Sequence, residues 1–69
     1  PIPSRVKVIV YDILGREVRT LLNSTKEAGI HQLRWSGRDH SGNIVSSGIY
    51  FIRFESEKFS QTRKVLLLK

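Results

Sequence analysis

WSGRDHSGNIVSSGIYFIRF, residues 35–54, is the stretch whose reading decides the fold. Gly37, Gly42 and Gly48 punctuate it at spacings of five and six residues. Between them stand Asp39, Ser41, Asn43, Ser46 and Ser47, whose short polar side chains bond nearby backbone and so favour turns. On either side, residues 31–35 and 49–54 carry the aromatic and β-branched composition of strands. The stretch therefore reads as strand, glycine-pinned loop, strand.

Working outward, the same period of two recurs. Ile49, Phe51 and Arg53 alternate with Tyr50, Ile52 and Phe54, so this strand is apolar on nearly both faces, which marks a central strand. Before the loop, Leu33 and Trp35 alternate with Gln32 and Arg34 and point to the core. Near the start, Val6, Val8 and Val10 alternate with Lys7, Ile9 and Tyr11, a strand with its valines inward. Pro1 and Pro3 ahead of it suit an extended entry or an edge. Asp12 to Gly15 reads as a turn, with Asp bonding backbone two residues on and Gly supplying a positive φ. Residues 17–22 begin as an alternating strand and break phase at Leu21 and Leu22, the mark of a bulge. A short helix over residues 16–22 is the weaker alternative, being too short to stand alone. Residues 23–29 are polar and read as a loop, and residues 56–58 as a hairpin turn. Residues 59–68 form the last strand, wet in its first half and, from Val65 to Leu68, buried on both sides.

Five strands with no convincing helix predict an all-β chain, an antiparallel β-sandwich. Its expected core holds Val8, Leu33, Trp35, Tyr50, Ile52 and Leu66. Such sandwiches usually have about seven strands, so the expectation is a single domain over residues 1–69 that lacks a strand on its N-terminal side, as a fragment of a larger protein. A bare sheet edge would then favour strand-exchanged self-association.

The chain has 69 residues, no cysteine and a net charge of +6. A domain this short buries only ~60% of the surface its unfolded form exposes, and no disulfide is available to staple it. The twelve Lys and Arg residues are scattered, with Arg63 and Lys64 the one adjacent pair. Dispersed charge reads as a solvated basic surface, without the clustered stripe that nucleic-acid binding uses. The longest apolar run, Val65 to Leu68, falls far short of the ~20 residues of a membrane helix.

Little in the sequence points to catalysis. His31 and His40 join no set of nucleophile, base and orienting group, and the expectation is a chain that is not an enzyme and takes no cofactor. Asp39, His40, Ser41, Gly42 and Asn43 resemble the opening of a calcium loop, but one carboxylate cannot hold calcium well, and a turn is the preferred reading. Trp35, Tyr50, Phe51 and Phe54 at strand spacing read as core. Tyr11 and Phe59 are the residues that would face outward in a carbohydrate-binding accessory module.

Five pieces in order carry a resemblance: VYDILGREVRTLLN (10–23), AGIHQLRWSGRD (28–39), SGN (41–43), SSGIYFIRF (46–54) and QTRKVLLLK (61–69). Together they resemble the C-terminal sorting domain of type IX secretion substrates, whose immunoglobulin-like fold is similar to the domain of the flagellar hook-capping protein. The resemblance runs from Val6 to Lys69. It departs from the family in lacking an Asn-Pro-rich opening and in having Ser36 where an acidic residue after Trp is common. It implies a domain joined to an N-terminal cargo, read by an outer-membrane translocon and cleaved by a sortase-like peptidase. The protein would pass through the periplasm to the cell surface or beyond. Recognition would rest on Gly48, Ile49 and Tyr50 and on Arg63, Lys64, Val65, Leu66, Leu67, Leu68 and Lys69. Gly48 would admit the chain to a central strand without a Cβ clash, and the last strand would offer a basic open edge. A structural immunoglobulin-like module of a flagellar hook-capping scaffold is the alternative.

Overall fold

Alternation in the sequence becomes a sheet. The computed structural model describes residues 4–26, 34–57 and 60–68. Their strands are β1 (Ser4–Tyr11), β2 (Glu17–Lys26), β3 (Gly48–Glu55) and β4 (Ser60–Leu67), with no helix among the described residues. All four lie in one antiparallel sheet, in the order β2-β1-β3-β4. That order, two hairpins meeting along their inner strands, is consistent with an immunoglobulin-like fold. The chain is all-β, antiparallel and immunoglobulin-like, as the sequence predicts.

The core sits on β1. Val8 and Val10 are 1% and 0% exposed, and they face Phe54 and Ile52 across the β1–β3 ladder. Tyr50 extends this face along β3 and is buried. Ile9 is buried on the opposite face, between its cross-strand partners Thr20 and Arg53. Both faces of β1 are thus apolar because the strand is central, which agrees with the mixed character of Ile9 and Tyr11 in the sequence.

Residues 34–47 form the partial second layer. The Trp35 ring meets Tyr50 edge-on, with centroids 5.0 Å apart, and its Nε1–H donates to the Arg38 carbonyl at 2.9 Å. The Tyr50 hydroxyl donates back to the Ser46 carbonyl at 2.6 Å. A tyrosine near the start of a strand, tied to backbone a few residues upstream, is the corner feature of immunoglobulin-like sandwiches.

Several expectations need correction. Leu66 is 64% exposed and Leu68 is exposed as well, so the Val65 to Leu68 run is not buried on both sides. Its strand lies at the sheet edge, where nothing among the described residues covers the outward side chains. Trp35 is half-buried rather than a full core residue, and Arg34, Trp35 and Ser36 are not in a strand. β2 runs on to Lys26, past the expected end at Leu22, because an edge strand needs no apolar residues to keep pairing with β1. The phase break does mark a bulge: Val8 pairs with Leu22 and Ile9 with Thr20, leaving Leu21 as the extra residue. Pro1, Pro3, residues 30–33 with His31 and Leu33, Lys58, Phe59 and Lys69 lie outside the described residues.

Candidate functional site

Two turns of one construction shape the end of the sheet. In the first, the Asp12 carboxylate Oδ1 accepts the N–H groups of Leu14 and Arg16, both at 2.9 Å. Gly15 N–H donates to the Asp12 carbonyl, and Asp12 N–H to the Arg16 carbonyl. In the second, Asp39 Oδ1 accepts from Ser41 and Asn43 at 2.9 and 3.0 Å, Gly42 N–H donates to the Asp39 carbonyl, and Asp39 N–H to the Asn43 carbonyl. The glycines have φ of 83° and 86°, a left-handed conformation that costs any residue with a Cβ. Asp-x-x-Gly appears twice in the sequence for this reason.

The second turn docks on β2. A second bulge in the β1–β2 ladder skips Val18. A bulged residue is left unpaired in the ladder, and the Val18 carbonyl instead accepts the His40 N–H at 3.1 Å. Arg19 Nη1 donates to the Asp39 carbonyl at 3.0 Å, and His40 Nε2 lies 2.9 Å from Glu17 Oε2. Between the two turns opens a cleft of about 530 Å³, bordered by Asp12, Arg16, Glu17, Asp39, His40 and Tyr50.

The chemistry of the cleft is already committed. Asp12 is held below its ordinary value of 3.8, chiefly by the Arg16 backbone N–H, with the Arg16 side chain and the Leu14 N–H acting in the same direction against a partial desolvation. Arg16 Nε closes the turn on Asp12 Oδ2 at 2.9 Å. Asp39 spends its carboxylate on backbone N–H groups, so the calcium-like spacing serves a turn. Among the described residues no group of three His, Cys, Asp or Glu side chains could hold a metal ion.

The residues that the sorting resemblance singles out come together elsewhere, along the β3–β4 ladder. Gly48 pairs with Leu67, Ile49 with Leu66 and Tyr50 with Val65. Arg63 and Lys64 are exposed farther along β4, and Ile49 is 40% exposed beside Leu66. A Cβ built on Gly48 would meet nothing within 4 Å. Its φ of 153° is what a side chain would oppose, so relief of a clash is not the reason for glycine there. Tyr50 is buried, and its hydroxyl is consumed within the fold. Tyr11 is half-buried, so it does not stand out as a sugar platform.

Sequence reasoning missed Glu17 and Arg19 as anchors of the second turn. Their partners are 23 and 20 residues away, and no local spacing marks such a pair. The repeated Asp-x-x-Gly was available as a signal of two equivalent turns.

No match is found among curated proteins or among solved structures. A protein family does match: the FlgD Ig-like domain, over residues 3–59. Those residues include β1, β2, β3 and both Asp-headed turns, and β4 lies beyond them. The match covers well over half of the 69 residues, and it agrees with the sheet order and the tyrosine corner; the chain belongs to the FlgD Ig-like domain family.

Proposed function

We propose that this chain is a non-enzymatic structural module of the flagellar hook-capping kind, an immunoglobulin-like building block in an assembly outside the cytoplasm. The family match over residues 3–59 carries this reading. The turn chemistry supports it: Asp12 and Asp39 each fix their own turn, and Arg19 and His40 hold the second turn on β2, as a scaffold requires. The test is a chimera in which this chain replaces the immunoglobulin-like domain of a hook-capping protein. Hook assembly should be retained. A folded chimera that is secreted yet fails to support assembly would sink the proposal.

A second reading, a type IX sorting domain read by a translocon, has one observation in its favour. Of the two segments it would use, Gly48 to Tyr50 and Arg63 to Lys69, the first lies on β3 within the matched residues and pairs with Leu67, Leu66 and Val65 of the second, on the edge strand β4 beyond them. Fusing the chain behind a periplasmic reporter, in cells with type IX machinery, separates the two. Under the structural reading the reporter stays in the periplasm. Delivery to the surface would favour sorting instead.

A further inference from the structure

The sheet has two edge strands, and they differ. β2 carries bulges at Leu21 and Val18, and bulges twist an edge away from new pairing. β4 pairs with β3 through eight residues without a register shift. Among the described residues no strand lies on its outer side, so a straight row of N–H and C=O groups is open there. Gln61, Thr62, Arg63 and Lys64 are exposed along it. Arg63 and Lys64 project from opposite faces, and neither has an ion-pair partner among the described residues. Two residues on, Leu66 stands 64% exposed beside Ile49 on the Lys64 face.

We propose that β4 accepts a fifth, antiparallel strand: an extended acidic segment of a partner protein. Backbone pairing supplies the affinity in strand addition, and alternate side chains supply the choice. Antiparallel geometry fixes the pattern of the incoming strand. An apolar residue lies opposite Leu66, a carboxylate two residues later opposite Lys64, and a second carboxylate next to it opposite Arg63. Opposite charges directly across strands are favourable and like charges are not. A second copy of this chain fits less well, because it brings +6 against +6. The proposal is independent of whether the module serves a scaffold or a sorting route.

The test uses the 69-residue chain and a fluorescent peptide, Thr-Thr-Leu-Thr-Glu-Glu-Thr-Thr, titrated by anisotropy. A Lys-Lys version of the peptide and the double variant Arg63→Glu, Lys64→Glu complete the set, with circular dichroism confirming the variant's fold. The Glu-Glu peptide should bind the unchanged chain roughly tenfold tighter than the Lys-Lys peptide, and the double variant should invert that preference. If the variant does not fold, the two peptides on the unchanged chain still decide the charge preference. Two further Glu-Glu peptides, N-methylated on alternating residues, test the backbone. One should bind and the other should not, because only one set of N–H groups faces β4. Equal binding of both methylated peptides would reduce the contact to charge alone and overturn strand addition. Equal binding of the Glu-Glu and Lys-Lys peptides would overturn the acidic partner. Dimerisation through β4 with no peptide uptake, read by sedimentation, would assign the edge to a second copy and overturn the proposal as well.

Discussion

Asp12 and Asp39 show how far single residues reach in this fold. Each turn needs one carboxylate to gather two N–H groups and one glycine at positive φ. Nothing stands within 4 Å of a Cβ at Gly15 or Gly42, so the penalty for Gly42→Ala is conformational alone. Thermal or urea unfolding should register a loss of about 1 kcal/mol. The sign of the pH dependence follows from Asp12. Its carboxyl is held below 3.8 in the folded chain, so its stabilisation is complete above that value and is lost as pH falls through the lower, folded one. A carbon-detected NMR titration should place its midpoint below 3.8, with the Leu14 and Arg16 amide shifts moving together with it. A midpoint at or above 3.8 would mean that the turn does not hold the carboxylate in solution. Tyr50→Phe removes the hydroxyl bond to Ser46 and should cost about 1 kcal/mol, with the fold intact by circular dichroism. The first turn is legible in sequence because all of its chemistry lies within five residues, Asp12 to Arg16. The docking of His40 on Val18 is not, because it depends on a bulge in another strand.

At the scale of elements, the sequence speaks clearly about central strands and poorly about edges. β1 and β3 show their alternation because both flanks are paired and burial sorts the side chains. The bulge at Leu21 is visible for the same reason, as a lost beat in an apolar rhythm. β2 beyond Leu22 is polar, and β4 ends in three apolar residues, so each misleads about its surroundings. A run such as Val65 to Leu68 reads as doubly buried only if something covers both faces. On an edge strand the outer side chains stay wet, and Leu66 does. A pair of substitutions turns this into numbers. Leu66→Thr should change stability by no more than about 0.5 kcal/mol. Val10→Ala removes two buried methyl groups and should cost about 2 kcal/mol. Comparable losses at the two sites in urea titrations would place Leu66 back in a core.

For the whole molecule, the consequence is uneven stability. Among the described residues the buried apolar side chains are Val8, Ile9, Val10 and Tyr50, and all of them lie on β1 or β3. Among the described residues those two strands each pair on both sides, whereas β2 and β4 each pair on one. Local opening of an edge strand breaks one ladder and exposes little apolar surface. Opening β1 or β3 breaks two ladders and uncovers Val8 or Tyr50, which amounts to unfolding the domain. Amide exchange follows the free energy of the smallest opening that frees each N–H. In native-state hydrogen exchange, the ladder amides shared by β1 and β3 should therefore be the slowest. Amides of β4 that donate to β3 should exchange faster by on the order of tenfold. β2 falls between these limits, because the His40, Arg19 and Glu17 contacts pin one end of it to the second turn. Uniform protection across all four strands would show that the sheet opens only as a unit. The straight edge of β4 would then be as firmly fixed as the core strand beside it.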